Sequence, residues 1–387
     1  MIFQNVRILR ILEILRNVIK LLNCYSFQAL CDTRYELREN MFNKILGKFS
    51  KDLGIDLGTK NTLVYVNDKG IVINEPSVVA VNMRTDEILA VGEEAKRMIG
   101  KTPAHIQAIK PLIDGVISDF EVTEKMLKYF IDKAHGESFT LIPRPRVVIG
   151  IPLDITEVER KAVEDAAKSA GARQVFLVEE SMAAAVGARL PVIEPTATMV
   201  VDIGGGTTEI AVISLGGVVT WKSLRLAGNE LDNNIIEYIR EEFNILVGEQ
   251  LAEEVKIKIG SATPLKDSLE MEVRGRDLIN GLPKGIMIND SQIREAMSRT
   301  IKQIIDNIKI TLETTPPELV SDIYEHGIFL TGGVALLRGL DKEIAQNTKI
   351  PVRVADDPLT CVVRGTGILL ADHELLEKVV LPSSEEL

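Results

Sequence analysis

Two stretches of this sequence repeat one plan. Residues 52–66 read DLGIDLGTKNTLVYV, and residues 199–213 read MVVDIGGGTTEIAVI. Each is an apolar run of strand length, an Asp, a turn bearing glycine and threonine, and a second apolar run. The copies lie about 145 residues apart in a chain of 387. That spacing points to a duplicated domain with a cleft between its halves. Around the repeats, strand-like and helix-like segments alternate, which argues for an α/β fold.

Strands are expected at 53–58, 62–67, 147–151, 175–178, 198–203, 208–214 and 327–331, with an extended run over 71–81. A helix is expected over 122–134, closed by Gly136. Thr156-x-x-Glu159 is a capping box, opening a helix that ends at Gly171. Further helices are expected from about 230, near 249–259 and over 291–313. The last carries Ile293, Met297, Ile301, Ile304, Ile305, Ile308 and Leu312 at helical spacing and stops before Pro316-Pro317.

The turns carry the chemistry. In Asp56-Leu57-Gly58-Thr59, glycine lets backbone N–H groups approach a phosphate with no Cβ in the way. Thr59 and Asn61 add neutral donors. Asp56 cannot bind phosphate, because like charges repel; its sensible role is to hold Mg²⁺ through water. Asp202-Ile203-Gly204-Gly205-Gly206-Thr207-Thr208 offers the same set with one more glycine. Alone, either stretch reads as an ordinary hairpin with a glycine turn. Their occurrence as a pair, at corresponding strand ends, points to two hairpins that clamp the phosphates of a nucleotide. A third turn, Leu330-Thr331-Gly332-Gly333-Val334, can bring backbone close to a base or sugar, or can be a plain strand-to-helix turn. No GxxxxGK[ST] loop occurs, and no GxGxxG fingerprint opens a helix.

Charge separates the first fifty residues from the rest. The whole chain has net charge -11, which argues against nucleic acid as a partner. Residues 1–50 carry 8 basic and 4 acidic residues, so the acidity belongs to the remainder. In residues 1–22, Arg7, Arg10, Glu13, Arg16 and Lys20 recur every three or four positions among apolar residues. This reads as a basic amphipathic helix on a membrane, or as an upstream extension outside the working protein, with Met41 as the natural start. Phe42, Ile45, Leu46 and Phe49 then form a short membrane-touching pattern. Phe139-Thr140-Leu141-Ile142, flanked by Arg144 and Arg146, is a second candidate membrane contact or a piece of core. The longest run without a charged residue is 12, too short for a membrane span. Cys24, Cys31 and Cys361 form no metal or disulfide framework, which fits a cytosolic setting.

These stretches resemble the actin, Hsp70 and sugar-kinase superfamily, and within it the MreB family of bacterial actins. The resemblance covers residues 42–381. It rests on the two repeats and on IVINEPSVVAV (71–81), AIKPLIDGVISDFE (108–121), VEESMAAAVGARLPV (178–192), RGRDLINGLPK (274–284), TPPELVSDI (315–323) and LTGGVALLRGL (330–340). It implies an actin-like ATPase fold with two duplicated lobes, or four subdomains, around a cleft for ATP and Mg²⁺. The division would be IA (51–72, 106–185, 355–387), IB (73–105), IIA (186–221, 286–354) and IIB (222–285), after an extension at 1–50. By matching motifs, Asp56 and Asp202 would anchor the metal. Gly58, Thr59, Asn61, Gly204, Gly205, Gly206 and Thr207 would take the phosphates. Glu253 and Lys256 would approach ribose and purine, though on sequence alone they are solvated helix charges. Gly332 and Gly333 would lie against the adenosine. Glu180 and Thr207 would orient the hydrolytic water, with Glu179 the alternative to Glu180.

Three positions depart from the family pattern. Ser181 replaces a usual proline, which would loosen the hold on Glu180. Lys60 replaces a small residue; beside the phosphates it would either bind them or point to solvent, and the second is expected. Val334 replaces a third glycine, with little consequence. The resemblance further implies a slow filament-coupled ATPase that assembles with copies of itself on the inner face of the cytoplasmic membrane. There it would meet membrane morphogenesis and wall-synthesis proteins, organise wall synthesis and set rod shape. A small-molecule kinase would need an insertion to build an acceptor pocket, and a chaperone would need room for a peptide-binding domain; neither is expected here.

Overall fold

The computed structural model describes residues 51–136 and 144–382. Leu53–Leu57 (β1), Asn61–Val66 (β2) and Gly70–Pro76 (β3) form an antiparallel ribbon. Val79–Asn82 (β4), Glu87–Val91 (β5) and Ile106–Ile109 (β6) make a small separate sheet beside the helix Glu93–Met98 (α1). The pair Leu112–Ile113 (β7) and Val116–Ile117 (β8) leads into Phe120–His135 (α2). Arg146–Ile151 (β9) then pairs parallel to β1, and after Glu157–Ser169 (α3) the strand Gln174–Glu179 (β10) pairs parallel to β9. Glu180–Gly187 (α4) follows directly.

The second half repeats this plan. Thr198–Ile203 (β11), Thr208–Ser214 (β12) and Gly217–Leu224 (β13) form another antiparallel ribbon. Gly228–Phe243 (α5), Ile245–Leu246 (β14), Glu249–Ile259 (α6), Glu270–Asp277 (β15) and Pro283–Asn289 (β16) come next, with β14, β15 and β16 in their own sheet. Asp290–Thr314 (α7) and Pro317–His326 (α8) lead to Ile328–Thr331 (β17), parallel to β11. Leu340–Thr348 (α9), Val352–Val354 (β18), Cys361–Ala371 (α10) and His373–Val379 (α11) complete the order. The large sheets run β10-β9-β1-β2-β3 and β18-β17-β11-β12-β13. One order is the other with each strand exchanged for its counterpart, so the duplication read in the motifs is a duplication of whole sheets.

Each sheet is covered on both faces, as its parallel strands require. Leu53, Ile55 and Leu57 of β1 point into a core with Met126, Leu127 and Phe130 of α2. Met199, Val201 and Ile203 of β11 point into a core with Leu231 and Ile235 of α5 and Met297 and Ile301 of α7. Between the sheets lies a third core built on α4 and α10, with Val148 on one side and Val200 and Ala211 on the other. The two helices meet backbone to backbone. A Cβ on Gly187 would stand 1.9 Å from the Cys361 carbonyl oxygen, and one on Gly365 would stand 1.8 Å from that of Ala183. Only glycine fits at those crossings, which sets the spacing of the two sheets.

Local signals explain most element ends. Thr156 and Glu159 exchange the two hydrogen bonds of the capping box, and Asn289 and Gln292 do the same at the start of α7. Asp119 accepts the Val122 N–H at 3.1 Å and starts α2 at Phe120, two residues earlier than the apolar spacing suggests. The extended run over 71–81 is broken after Pro76, which has no N–H to continue the ladder. Pro316 stops α7 by holding Thr315 extended, and Pro317 opens α8 at the first-turn position where proline is tolerated.

The expected N-terminal helices and the apolar loop at 139–142 lie outside the described residues. Arg146, read as a flank of that loop, is engaged elsewhere: its Nε and Nη2 donate to Asp52 at 2.8 and 2.7 Å. Among the described residues, no helix is long and apolar enough to cross a membrane.

Candidate functional site

The site begins with the two hairpins. In the first, Leu57 pairs with Thr62; in the second, Ile203 pairs with Thr208. Each turn therefore holds four residues, 58–61 and 204–207, on the same register. The first turn is braced by side chains. Gly115 N–H donates to Thr59 Oγ1 at 2.8 Å, and the Ser77 hydroxyl donates to the Gly58 carbonyl at 2.6 Å. The second is braced by backbone. Gly228 and Asn229, at the start of α5, donate their N–H groups to the carbonyls of Gly204 and Gly205 at 3.1 and 2.8 Å.

The hairpins close on each other. A Cβ on Gly206 would stand 2.7 Å from Thr59 Oγ1 and 2.9 Å from the Asp114 Cα. Gly332, at φ +81, closes the site from β17. A Cβ there would stand 2.4 Å from both Asp202 Oδ1 and the Ile203 carbonyl oxygen. The conformation and the space both demand glycine.

A cavity of about 540 Å³ lies among these turns, within the range of small-molecule sites. Asp56, Gly58, Thr59 and Asn61 line it from the first hairpin. Asp202, Gly204, Gly205, Gly206 and Thr207 line it from the second. Glu180, Glu253, Lys256, Gly332 and Gly333 complete the set expected from sequence. Glu179 is not among the lining residues. Glu180 is the first residue of α4, and the missing side chain of Gly150 leaves it room: a Cβ on Gly150 would stand 3.3 Å from Glu180 Cγ.

The cavity floor is acidic. Removal from water, then the neighbouring charge of Asp202, pushes Asp56 up to about 7. Removal from water pushes Asp202 up to about 6. Glu180 is raised well above the carboxylate range, chiefly by removal from water and then by the charges of Glu209, Asp56 and Asp202. Two acidic strand ends at one cavity form a hard oxygen donor set, and a divalent cation would relieve their raised values. Among the described residues, no three His, Cys, Asp or Glu side chains cage a metal. Asp56 and Asp202 are of the donor type Mg²⁺ takes.

Several residues at this site escape sequence reasoning. Glu209 is 1% exposed behind the floor, where its Oε1 accepts the Leu153 N–H at 2.6 Å. Burial pushes it up to about 8. At the other end of the cavity, Ile257, Leu336 and Leu359 are 66%, 56% and 46% exposed and line the wall beside Gly333. They place exposed apolar surface on the cavity wall. Lys256 Nζ donates to the Gly228 carbonyl at 2.8 Å and pairs with Asp232 at 2.7 Å, so it is not a solvated helix charge. Lys60 corrects its expectation outright. Its ammonium does not point to solvent but bonds Asp232 at 2.9 Å and Glu253 at 3.0 Å. Two carboxylates of the opposite half outcompete water for it.

Known proteins resemble this chain in sequence and fold. The family model for MreB/Mbl protein matches residues 50–378. The chain belongs to the MreB/Mbl family. The cell shape-determining protein MreB of Escherichia coli strain K12 is 54% identical over 331 residues, covering 84% of this chain and 95% of that protein. The cell shape-determining protein Mbl of Bacillus subtilis strain 168 is 49% identical over 330 residues, covering 85% and 98%. Among solved structures, MreB5 of Spiroplasma citri bound to ADP superposes with a TM-score of 0.80 at 38% identity, covering 85% of this chain and 98% of that one. The same protein is also solved with AMPPNP, at 39% identity. The duplicated sheets are thus an actin-like ATPase fold.

Proposed function

We propose that this MreB/Mbl member is an ATP-dependent filament protein that assembles with copies of itself on the inner face of the cytoplasmic membrane. There it organises cell-wall synthesis and sets rod shape, together with membrane morphogenesis and wall-synthesis proteins. The observation that carries the reading is the pair of hairpins, equal in register and closing on one cavity, each with an Asp at the strand end. The names of the relatives and the adenine nucleotides held by MreB5 supply the rest of the support.

In this reading the backbone N–H groups of turns 58–61 and 204–207 hold the phosphates, and Thr59, Asn61 and Thr207 add hydroxyl and amide donors. Glu253 and Lys256 meet the sugar and purine, and Gly332 and Gly333 let the adenosine lie against β17. Mg²⁺, anchored through Asp56 and Asp202, would offset the charge of the β- and γ-phosphates. Glu180 and Thr207 orient a water in line with the γ-phosphorus. The new P–O bond forms as the bond to the bridging oxygen of ADP breaks, releasing inorganic phosphate. Such chemistry asks the protein mainly for positioning. The four-subdomain division given by the resemblance belongs to the same proposal.

The test uses the full-length chain on anionic liposomes with ATP and Mg²⁺, viewed by electron microscopy. Membrane-bound filaments and slow phosphate release are expected. Protein that stays monomeric and transfers phosphate to a sugar instead would end this reading.

A further inference from the structure

A group of charged side chains crosses the cleft, and its centre, Lys60 with Asp232, has no role in the reaction proposed above. Lys60 stands in the turn of the first hairpin, and its stem lies over the turn of the second: a Cβ on Gly205 would stand 2.3 Å from Lys60 Cγ. Beyond that crossing its ammonium meets Asp232 of α5 and Glu253 of α6. Asp232 is 2% exposed and is shared with Lys256. The second oxygen of Glu253 takes Lys96 of α1 at 3.4 Å. Burial alone would lower the Lys60 ammonium, but the charges of Asp232 and Glu253 outweigh it and hold the group above its ordinary value. Lys60 therefore stays charged across the physiological range.

We infer that Lys60 is a strap over the bound nucleotide, tying the first hairpin to α5 and α6 and so setting how fast nucleotide leaves. This rests on the nucleotide site proposed above. Lys60 and Glu253 both line the cavity, and the bonds between Lys60 and its acids run from one sheet's half to the other's. For a nucleotide held between the hairpins to escape, the halves must part, and parting breaks both bonds. One partner is nearly fully buried, so the bonds are shielded from water and salt more than a surface pair is. Loss of such a contact appears in the dissociation rate. The strap reaches past the phosphate turns to the helices, so it does not distinguish ADP from a triphosphate.

The experiment loads the full-length protein with fluorescent ADP, or with a fluorescent non-hydrolysable ATP analogue, and chases it with unlabelled nucleotide. Lys60→Ala is expected to release both about tenfold faster than wild type, less than the loss of a fully buried charge pair because the Lys60 side chain is partly exposed. Lys60→Arg should keep slow release, and Asp232→Asn should fall between, with melting temperatures reported for each. Unchanged release from Lys60→Ala overturns the strap. Faster release of the triphosphate alone also overturns it, and makes Lys60 a γ-phosphate ligand. Wild-type protein that binds neither nucleotide would overturn the site itself, an outcome distinct from binding with unchanged release.

Discussion

The hairpins β1–β2 and β11–β12 have the same strand register and the same four-residue turn, yet they divide the work. The first turn, Gly58-Thr59-Lys60-Asn61, carries bulk. The second, Gly204-Gly205-Gly206-Thr207, is nearly bare. The bareness is forced by the neighbour. Lys60 occupies the space a side chain on Gly205 would need, and Thr59 and Asp114 occupy that of Gly206. The strands differ as well. Opposite Asp56 stands Leu63, whereas opposite Asp202 stands Glu209. Side chains opposite each other in antiparallel strands share a face, so the second half carries a pair of acids where the first carries one acid and a leucine. The duplicated frame fixed the geometry, and exchange of bulk for void and of leucine for acid made one cleft out of two similar halves.

Mutations at matched positions break or sharpen this comparison. The largest effect is expected from Gly206→Ala, which drives a Cβ into backbone at Asp114. Affinity for ADP should fall by about a hundredfold, a cost of about 3 kcal/mol, as overpacking of a fitted site implies. Calorimetric titration measures it. The matched change Lys60→Gly removes bulk from the equivalent place and should leave equilibrium affinity within about tenfold of wild type. Equal losses from the two would show that the turns are interchangeable.

The acid pair gives the next effect. Glu209 has a raised value in the folded state, so the folded protein holds its proton more tightly than the unfolded chain does. Stability is then greatest below the ordinary carboxylate range and is lost as pH rises toward about 8. Thermal melting in the presence of a chelator should show a fall over that interval, to which Asp56, Asp202 and Glu180 contribute with the same sign, and Glu209→Gln should make it shallower. The matched Leu63→Met should leave the pH profile as it is. The smallest effect is expected from Thr59→Val, which leaves the Gly115 N–H without its acceptor. A loss of roughly 1 kcal/mol in nucleotide affinity is expected, seen as a few-fold weaker fluorescence titration.

Much of this arrangement is legible in the chain because it is local. Strand, Asp and glycine turn follow one another within a dozen residues, so both hairpins, the capping box at Thr156 and the long helix ending before Pro316 can be read directly. Partners distant in sequence cannot. Lys60 finds Asp232 and Glu253 at separations of 172 and 193 residues, and nothing near Lys60 signals them. Glu209 sits in a run that reads as a plain apolar strand, and its partner is a backbone amide of the other half. The apolar wall residues Ile257, Leu336 and Leu359 are single residues with no common period. Residues 361–371, CVVRGTGILLA, combine β-branched residues with two glycines and carry a weak helix signal. They form α10 because Gly365 and Gly367 fit against Ala183 and Tyr65. Strands β15 and β16 mix charges and glycine with their apolar residues, and only Val273 and Ile288 are fully buried in the core.

The central claim is that both hairpins grip one nucleotide. Calorimetric titration of ATP with Mg²⁺ into full-length wild type, Asp56→Ala and Asp202→Ala tests it most directly. If both aspartates anchor the same metal, each single substitution should weaken binding by about 10–100-fold, the usual cost of disturbing a metal's support. The double substitution should cost much less than the product of the two, because the metal is already lost. Wild-type affinity in either single variant would contradict the claim, and would reduce that hairpin to a structural copy of its partner.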